Sequence, residues 1–258
     1  MKEREKIMLI AGGSDLAGSE IDGTDDSFYN RDHSFGNLLA NKLGYRPLNI
    51  ALTGATNSSV MRSVIEWFSS QYNPEEMDVF VLLGWTESTR MEIPWSKPTA
   101  WDAYNKYANW FSNSAVEYLR VNAGWTGIYE EEMIAIGNCH EIMGKYGNFL
   151  ELQSANFVLT MQYFLNQMKI PYLMCNTLHM FSPLSVGTRQ LKFYLTKFNK
   201  KRYIKFLDNS ESFYTKYKNL GYKNPKAKYW HHGEEPHQLY ADVLCKFIGD
   251  NKCLSLDG

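Results

Sequence analysis

Four short apolar runs, each closed by a turn-forming or polar residue, constrain this chain more than any other feature. They are KIMLIAG (6–12), PLNIALTG (47–54), DVFVLLG (78–84) and PYLMCN (171–176). Each has the length of a strand, and each is apolar on both alternating faces. Such a strand must be covered from two sides, as in a parallel sheet sandwiched between helices. Helical patterns fill the gaps. SFGNLLANKLG sets Phe35, Leu38, Leu39 and Leu43 on one face and stops at Gly44, suited to the position just past a helix end. NSSVMRSVIEWFSSQ places Val60, Val64, Ile65 and Phe68 at helical spacing, with Asn57 or Ser58 as the expected cap. ELQSANFVLTMQYFLNQMKI predicts a helix leading into the fourth strand. PHQLYADVLCKFIGD predicts the last helix, with Pro236 in its first turn.

Strands alternating with helices predict an open, doubly wound α/β sheet. A further strand near AKYWHH (227–232) would bring the sheet to about five. The 258 residues, 44% of them apolar, suit one domain spanning 1–258. Two stretches break the alternation: about 92–149, rich in Trp, Tyr and Asn, and about 178–227, rich in Phe, Tyr and Lys. Both read as insertions at the strand-end face, where open α/β sheets bind ligands, and so as walls or lids of a site.

Several function classes drop out. The formal net charge of -1 gives no general signal for nucleic-acid binding. No run approaches the ~18 apolar residues of a membrane span. The short apolar run after MKERE is no secretory signal, so a cytoplasmic location is expected, with virion association left open. Usage rich in Asn, Lys, Tyr and Phe is compatible with an AT-rich genome, a viral one among them. Cys139, Cys175, Cys245 and Cys253 are scattered without a CxxC pair and read as reduced thiols. GGSDLAG fits neither GxGxxG nor GxxxxGK[ST], and no acid follows the second strand to hold a ribose. No cofactor is therefore expected. HHGEEPH offers His231, His232 and His237 to a metal, but its spacing is not HExxH and Gly233 and Pro236 interrupt it, so no metal is expected. Oligomeric state is not legible.

The strand ends carry the polar residues. Gly12-Gly13-Ser14-Asp15 follows the first run, Gly54-Ala55-Thr56-Asn57 the second, and Gly84-Trp85-Thr86-Glu87 the third; EEPH precedes the last helix. Ser14 alone reads equally as a cap in a glycine turn. With His237 and Glu234 it forms a candidate triad: the imidazole takes the serine proton and the carboxylate orients the imidazole.

This order of blocks resembles the SGNH hydrolases, the GDSL esterase/lipase superfamily. GGSDLAG matches the serine block, NIALTGATN the glycine block, LLGWTES stands where the asparagine block belongs, and EEPH matches Asp-x-x-His with a glutamate. The resemblance spans almost the whole chain. It implies a flavodoxin-like three-layer α/β/α sandwich and acyl-ester chemistry. Ser14 would be the nucleophile, His237 the base and then acid, and Glu234 its orienting partner. The backbone N–H groups of Ser14 and Gly54, with Thr86, would form the oxyanion hole. Besides Glu234 in place of the triad aspartate, two departures stand out. Gly13 replaces the Asp of the serine block, with an acid following instead as Asp15, and Thr86 replaces the oxyanion-hole asparagine. Losing such a donor costs about 3 kcal/mol of transition-state stabilisation. Arg90 would share a helical face with Thr86 and could supply positive charge; its plainer reading is a salt bridge to Glu87 or Glu92. Trp85, Arg90 and Asn57 are the candidate substrate-contacting residues. Trp95, Trp101, Trp110 and Trp125 suit stacking on a sugar ring. The expected function is hydrolysis of a small-molecule or glycan ester. The alternative is a catalytically impaired SGNH-fold module that binds glycans or serves a phage structure.

Overall fold

A computed structural model describes residues 3–95, 117–122, 138–139, 141–143, 148–181 and 188–255. The element order starts with β1 (Glu5–Gly12), α1 (Ser14–Ala17), α2 (Phe28–Asp32), α3 (Phe35–Lys42), β2 (Arg46–Asn49), α4 (Asn57–Ser70) and β3 (Met77–Trp85). It continues with β4 (Arg90–Trp95), β5 (Glu117–Asn122), α5 (Phe149–Gln167), β6 (Tyr172–Asn176), α6 (Arg189–Leu195), α7 (Phe213–Asn219) and α8 (Glu234–Asp250). Among the described residues β2-β1-β3-β6 form one parallel sheet, and β4 and β5 a separate antiparallel pair.

The unbroken apolar runs have the consequence expected of them. β1 sends Ile7, Leu9 and Ala11 to one core, where Val79, Val81 and Leu83 of β3 meet α4 and α5. Its alternate residues, Met8 and Ile10, join Phe80 and Leu82 against α3 and α8. The result is a three-layer α/β/α sandwich with the central strands buried on both faces. Gly44 takes the left-handed φ of +72° one residue past the Leu43 cap of α3. The α4 cap is Thr56 rather than Asn57 or Ser58. Its side chain accepts from Ser59 N–H while the Ser59 hydroxyl accepts from Thr56 N–H, a reciprocal capping box.

The expected strand at 227–232 does not form; residues 228–230 bend and the rest of the stretch is irregular. The edge beyond β6 is occupied by a single parallel bridge, Tyr203 to Met174, with Ile204 N–H donating to Met174 O at 3.0 Å. The stretch expected as a second insertion contributes to both cores. Leu191, Leu195 and Phe198 pack on one face of the sheet, and Phe213 and Tyr217 on the other. Of the first stretch, Trp101, Trp110 and Trp125 lie outside the described residues, and of Trp95 only the backbone, in β4, is described. No described helix is long and apolar enough to cross a membrane.

Candidate functional site

Glycines bring the ends of β1 and β3 together and leave room for one leucine. Gly12 pairs with Gly84 across the two strands. A Cβ on Gly12 would stand 2.5 Å from Leu16 Cδ1, and one on Gly84 2.4 Å from the same atom. A Cβ on Gly36 of α3 would come within 2.8 Å of the other Leu16 methyl. Leu16 therefore sits in a socket that any other residue at these glycines would fill. The socket fixes the short α1, and with it Ser14 and Asp15, at the carboxyl ends of the two central strands. There both side chains are buried, at 4% and 2% exposure.

Glu20 lies six residues beyond Ser14, in the left-handed region at φ +64° although it is not a glycine. Strain of this kind needs compensation from its surroundings. The compensation is a carboxylate, 1% exposed, that accepts from Lys228 N–H at 2.9 Å, Tyr229 N–H at 3.0 Å and His231 Nδ1 at 2.7 Å. The Asn224 side-chain amide donates to Glu20 O at 2.7 Å. One buried glutamate thus holds the whole segment that leads into α8. A carboxylate only accepts, so Nδ1 of His231 is the donor, and in the neutral tautomer that this contact selects the lone pair lies on Nε2. That Nε2 is buried and has no hydrogen-bond partner. The ring stacks on Trp230 at 4.4 Å.

Other polar atoms at this end of the sheet are also unsatisfied: both carboxyl oxygens of Asp15 and the hydroxyl of Thr86. Burial raises the Asp15 pKa, opposed by His231, His232 and Arg90. Buried polar groups without partners are rare in folded proteins. Several at one strand-end position mark a site built to meet something other than itself.

The expected triad is not assembled. Glu234, at the start of α8, accepts from the Tyr29 hydroxyl at the surface. His237 is 1% exposed, packed against Phe35 and Phe213, and its Nδ1 accepts from Phe35 N–H at 3.1 Å. Burial lowers its pKa to about 3. A neutral ring with its lone pair on Nδ1 carries its proton on Nε2, so neither nitrogen is free to take one from serine. Among the described residues no hydrogen bond joins Ser14, His237 and Glu234.

The remaining candidates divide between frame and site. Gly54 turns the chain after β2 at φ +73°. Asn57 is a strut: it accepts from Thr86 N–H at 2.9 Å and donates to Thr86 O at 3.1 Å and Ser154 Oγ at 3.2 Å. Trp85 is fully buried in the core and presents no face to a ligand. TESTR is a turn into β4 rather than a helix, and Arg90 pairs with Glu87 at 2.9 Å, while Glu92 pairs with Arg62 at 2.6 Å.

Sequence reasoning missed Glu20 and His231 as a pair. His231 stood in plain view as half of a His-His dipeptide, but nothing local links it to a glutamate 211 positions earlier. The usable signal was the acid six places past Ser14, close enough to share its turn.

An open parallel α/β/α sandwich with a polar site where its central strands end is the class that these features define. The chain is similar to esterases and lipases of known structure, at low identity. With a carbohydrate esterase family 2 enzyme of Corynascus thermopiles (Myceliophthora fergusii), carrying a carbohydrate-binding domain, it shares 14% identity over 98% of this chain and 68% of that one, at TM-score 0.49. For the psychrotrophic esterase EstA from Pseudoalteromonas sp. the values are 11%, 95%, 98% and 0.46. For a member of the lipolytic G-D-S-L family from Veillonella parvula they are 11%, 92%, 97% and 0.43. No family model and no curated protein matches the chain.

Proposed function

We propose that the protein is an acyl-ester hydrolase of the SGNH type in which Ser14 is the nucleophile, His231 its general base and Glu20 the carboxylate that orients the imidazole. The observation that carries this reading is His231, with Nδ1 held by Glu20 at 2.7 Å and Nε2 buried and unpartnered. That is the state a general base needs before substrate arrives. Ser14 Oγ attacks the acyl carbonyl carbon while its proton passes to His231 Nε2. The carbonyl pair moves onto oxygen, which the Ser14 and Gly54 N–H groups and Thr86, the positions that the SGNH resemblance implies for the oxyanion hole, would receive. Collapse breaks the bond to the alkoxy oxygen, which leaves with the proton from Nε2. Water repeats the sequence on the acyl-serine ester, releasing the acid and restoring Ser14.

An acylated sugar fits the surroundings of His231. Trp230, stacked on that ring, is 39% exposed, and neighbouring Tyr229 is 60% exposed. Flat aromatic faces beside an ester-cleaving site suit a pyranose. A fluorophosphonate probe tests the reading: it should label wild type and leave Ser14→Ala unlabelled. Well-folded wild type that resists the probe overturns it. One observation favours a second reading, a glycan-binding module without turnover: no hydrogen bond joins the Ser14 hydroxyl to His231 or His237 among the described residues. Resistance to the probe together with affinity on a glycan array is the result that reading requires.

A further inference from the structure

Asp15 has no part in the relay just described, yet its carboxyl is 2% exposed with neither oxygen hydrogen-bonded. The charged and hydroxyl groups that face it are turned to other partners, while the Thr86 hydroxyl and His231 Nε2 nearby are themselves unpartnered. His231 gives its Nδ1 proton to Glu20. His232, from the same segment before α8, donates through Nε2 to Tyr214 O at 3.0 Å. Arg90, at the start of β4, is turned to Glu87 at 2.9 Å. The Thr177 hydroxyl, just past β6, lies beside the carboxyl but donates to Trp85 O at 3.2 Å. A carboxylate in such a place would have lost its water and gained at most a share in the Thr177 hydroxyl, whose proton is directed to Trp85 O, which is strongly unfavourable. A carboxylic acid escapes most of that penalty and carries one O–H to give. Thr86, standing where the asparagine donor belongs, sits close behind the turn: a Cβ on Gly13 would be 3.9 Å from its hydroxyl oxygen.

We propose that Asp15 is kept as the neutral acid and donates its O–H to the acyl oxyanion formed at Ser14, taking over the side-chain donor role that Thr86 fills with a shorter reach. This rests on the hydrolase reading of Ser14. The hydrogen bond strengthens as negative charge develops on the carbonyl oxygen; the proton stays on Asp15 and no bond is exchanged. A carboxylic acid held neutral by its surroundings is an effective oxyanion donor. The upward shift of the Asp15 pKa by burial runs in the required direction; His231, His232, Arg90 and the Thr177 hydroxyl oppose it, and the Cys175 thiol of β6, which burial pushes up to about 12, faces it uncharged.

The test is the rate of fluorophosphonate labelling as a function of pH. Asp15→Ala should slow labelling about 100-fold, the usual effect of deleting one oxyanion donor. Asp15→Asn, which restores an N–H donor that cannot ionise, should recover most of that loss. Wild-type labelling should fall as alkaline pH removes the Asp15 proton, and Asp15→Asn should lack that fall. Asp15→Ala should melt no lower than wild type, because an unsatisfied buried group has been removed. Labelled wild type with Asp15→Asn as slow as Asp15→Ala overturns this inference alone. Unlabelled wild type overturns the hydrolase reading and this inference together. An infrared difference spectrum between wild type and Asp15→Asn that carries carboxylate bands at neutral pH, in place of a protonated C=O stretch, overturns the inference whatever the labelling shows.

Discussion

His231 and His237 lie six residues apart and end in opposite chemical states. His231 belongs to an irregular segment. It has a carboxylate behind it and an unpartnered Nε2 ahead. His237 belongs to a regular helix, and its surroundings are a backbone N–H and aromatic rings. Both are buried, so burial alone does not make an imidazole a base. What separates them is the partner of Nδ1: an acceptor at His231, a donor at His237. The lesson is that the tautomer, set from behind, decides which histidine can work.

The comparison can be broken most directly by removing each ring. His231→Ala should slow fluorophosphonate labelling about 1,000-fold, the loss expected for a general base, whereas His237→Phe should slow it no more than about 10-fold. Equal losses from the two would erase the distinction. Glu20→Gln comes next, with labelling lowered on the order of 100-fold, because the amide holds His231 less firmly than the carboxylate does. Its melting temperature should also drop, since two backbone N–H groups share that carboxylate. Gly84→Ala should destabilise the fold by about 1–3 kcal/mol in urea titrations by forcing Leu16 out of its socket.

A pH titration sharpens the contrast further. His237 has a folded pKa of about 3 against an ordinary value of 6.5. Between these values the unfolded chain binds a proton that the folded one refuses. Stability therefore falls as pH drops below the unfolded value, by up to roughly 1.4 kcal/mol per pH unit. His237→Phe should flatten that slope, and the His237 ring resonances should not move between neutral pH and about pH 4. The smallest effect belongs to Glu234→Ala, which removes only a surface contact to Tyr29 and should leave labelling within about twofold of wild type.

The sandwich was legible because its cause is local: an apolar run buried on two faces needs no knowledge of its neighbours. β1, β3 and β6 follow the runs in which they were expected, and Gly44 ends α3 as its position implied. The expected fifth strand was a misreading, because AKYWHH has the composition of a strand while its backbone is held by the side chain of Glu20. Glu234 and His237 were read from a spacing of three, which a helix start satisfies without bringing either side chain to Ser14. Arg90 was read on a helix because TESTR has no strong breaker, yet the strand pairing of β4 claims it. In each case the miss came from a long-range partner overriding a short-range pattern.

The Glu20–His231 contact spans 211 positions of sequence. Ordered N to C, synthesis delivers Ser14 and the strained Glu20 first and the segment that relieves the strain almost last. Contacts of such separation carry the largest loop-closure cost and form late. A nascent chain lacking residues 224–231 has the sequence of β1 and β3 and still lacks the base proposed for Ser14. If Ser14 and His231 act as proposed, the serine stays silent on the ribosome, and its chemistry begins only when folding is nearly done.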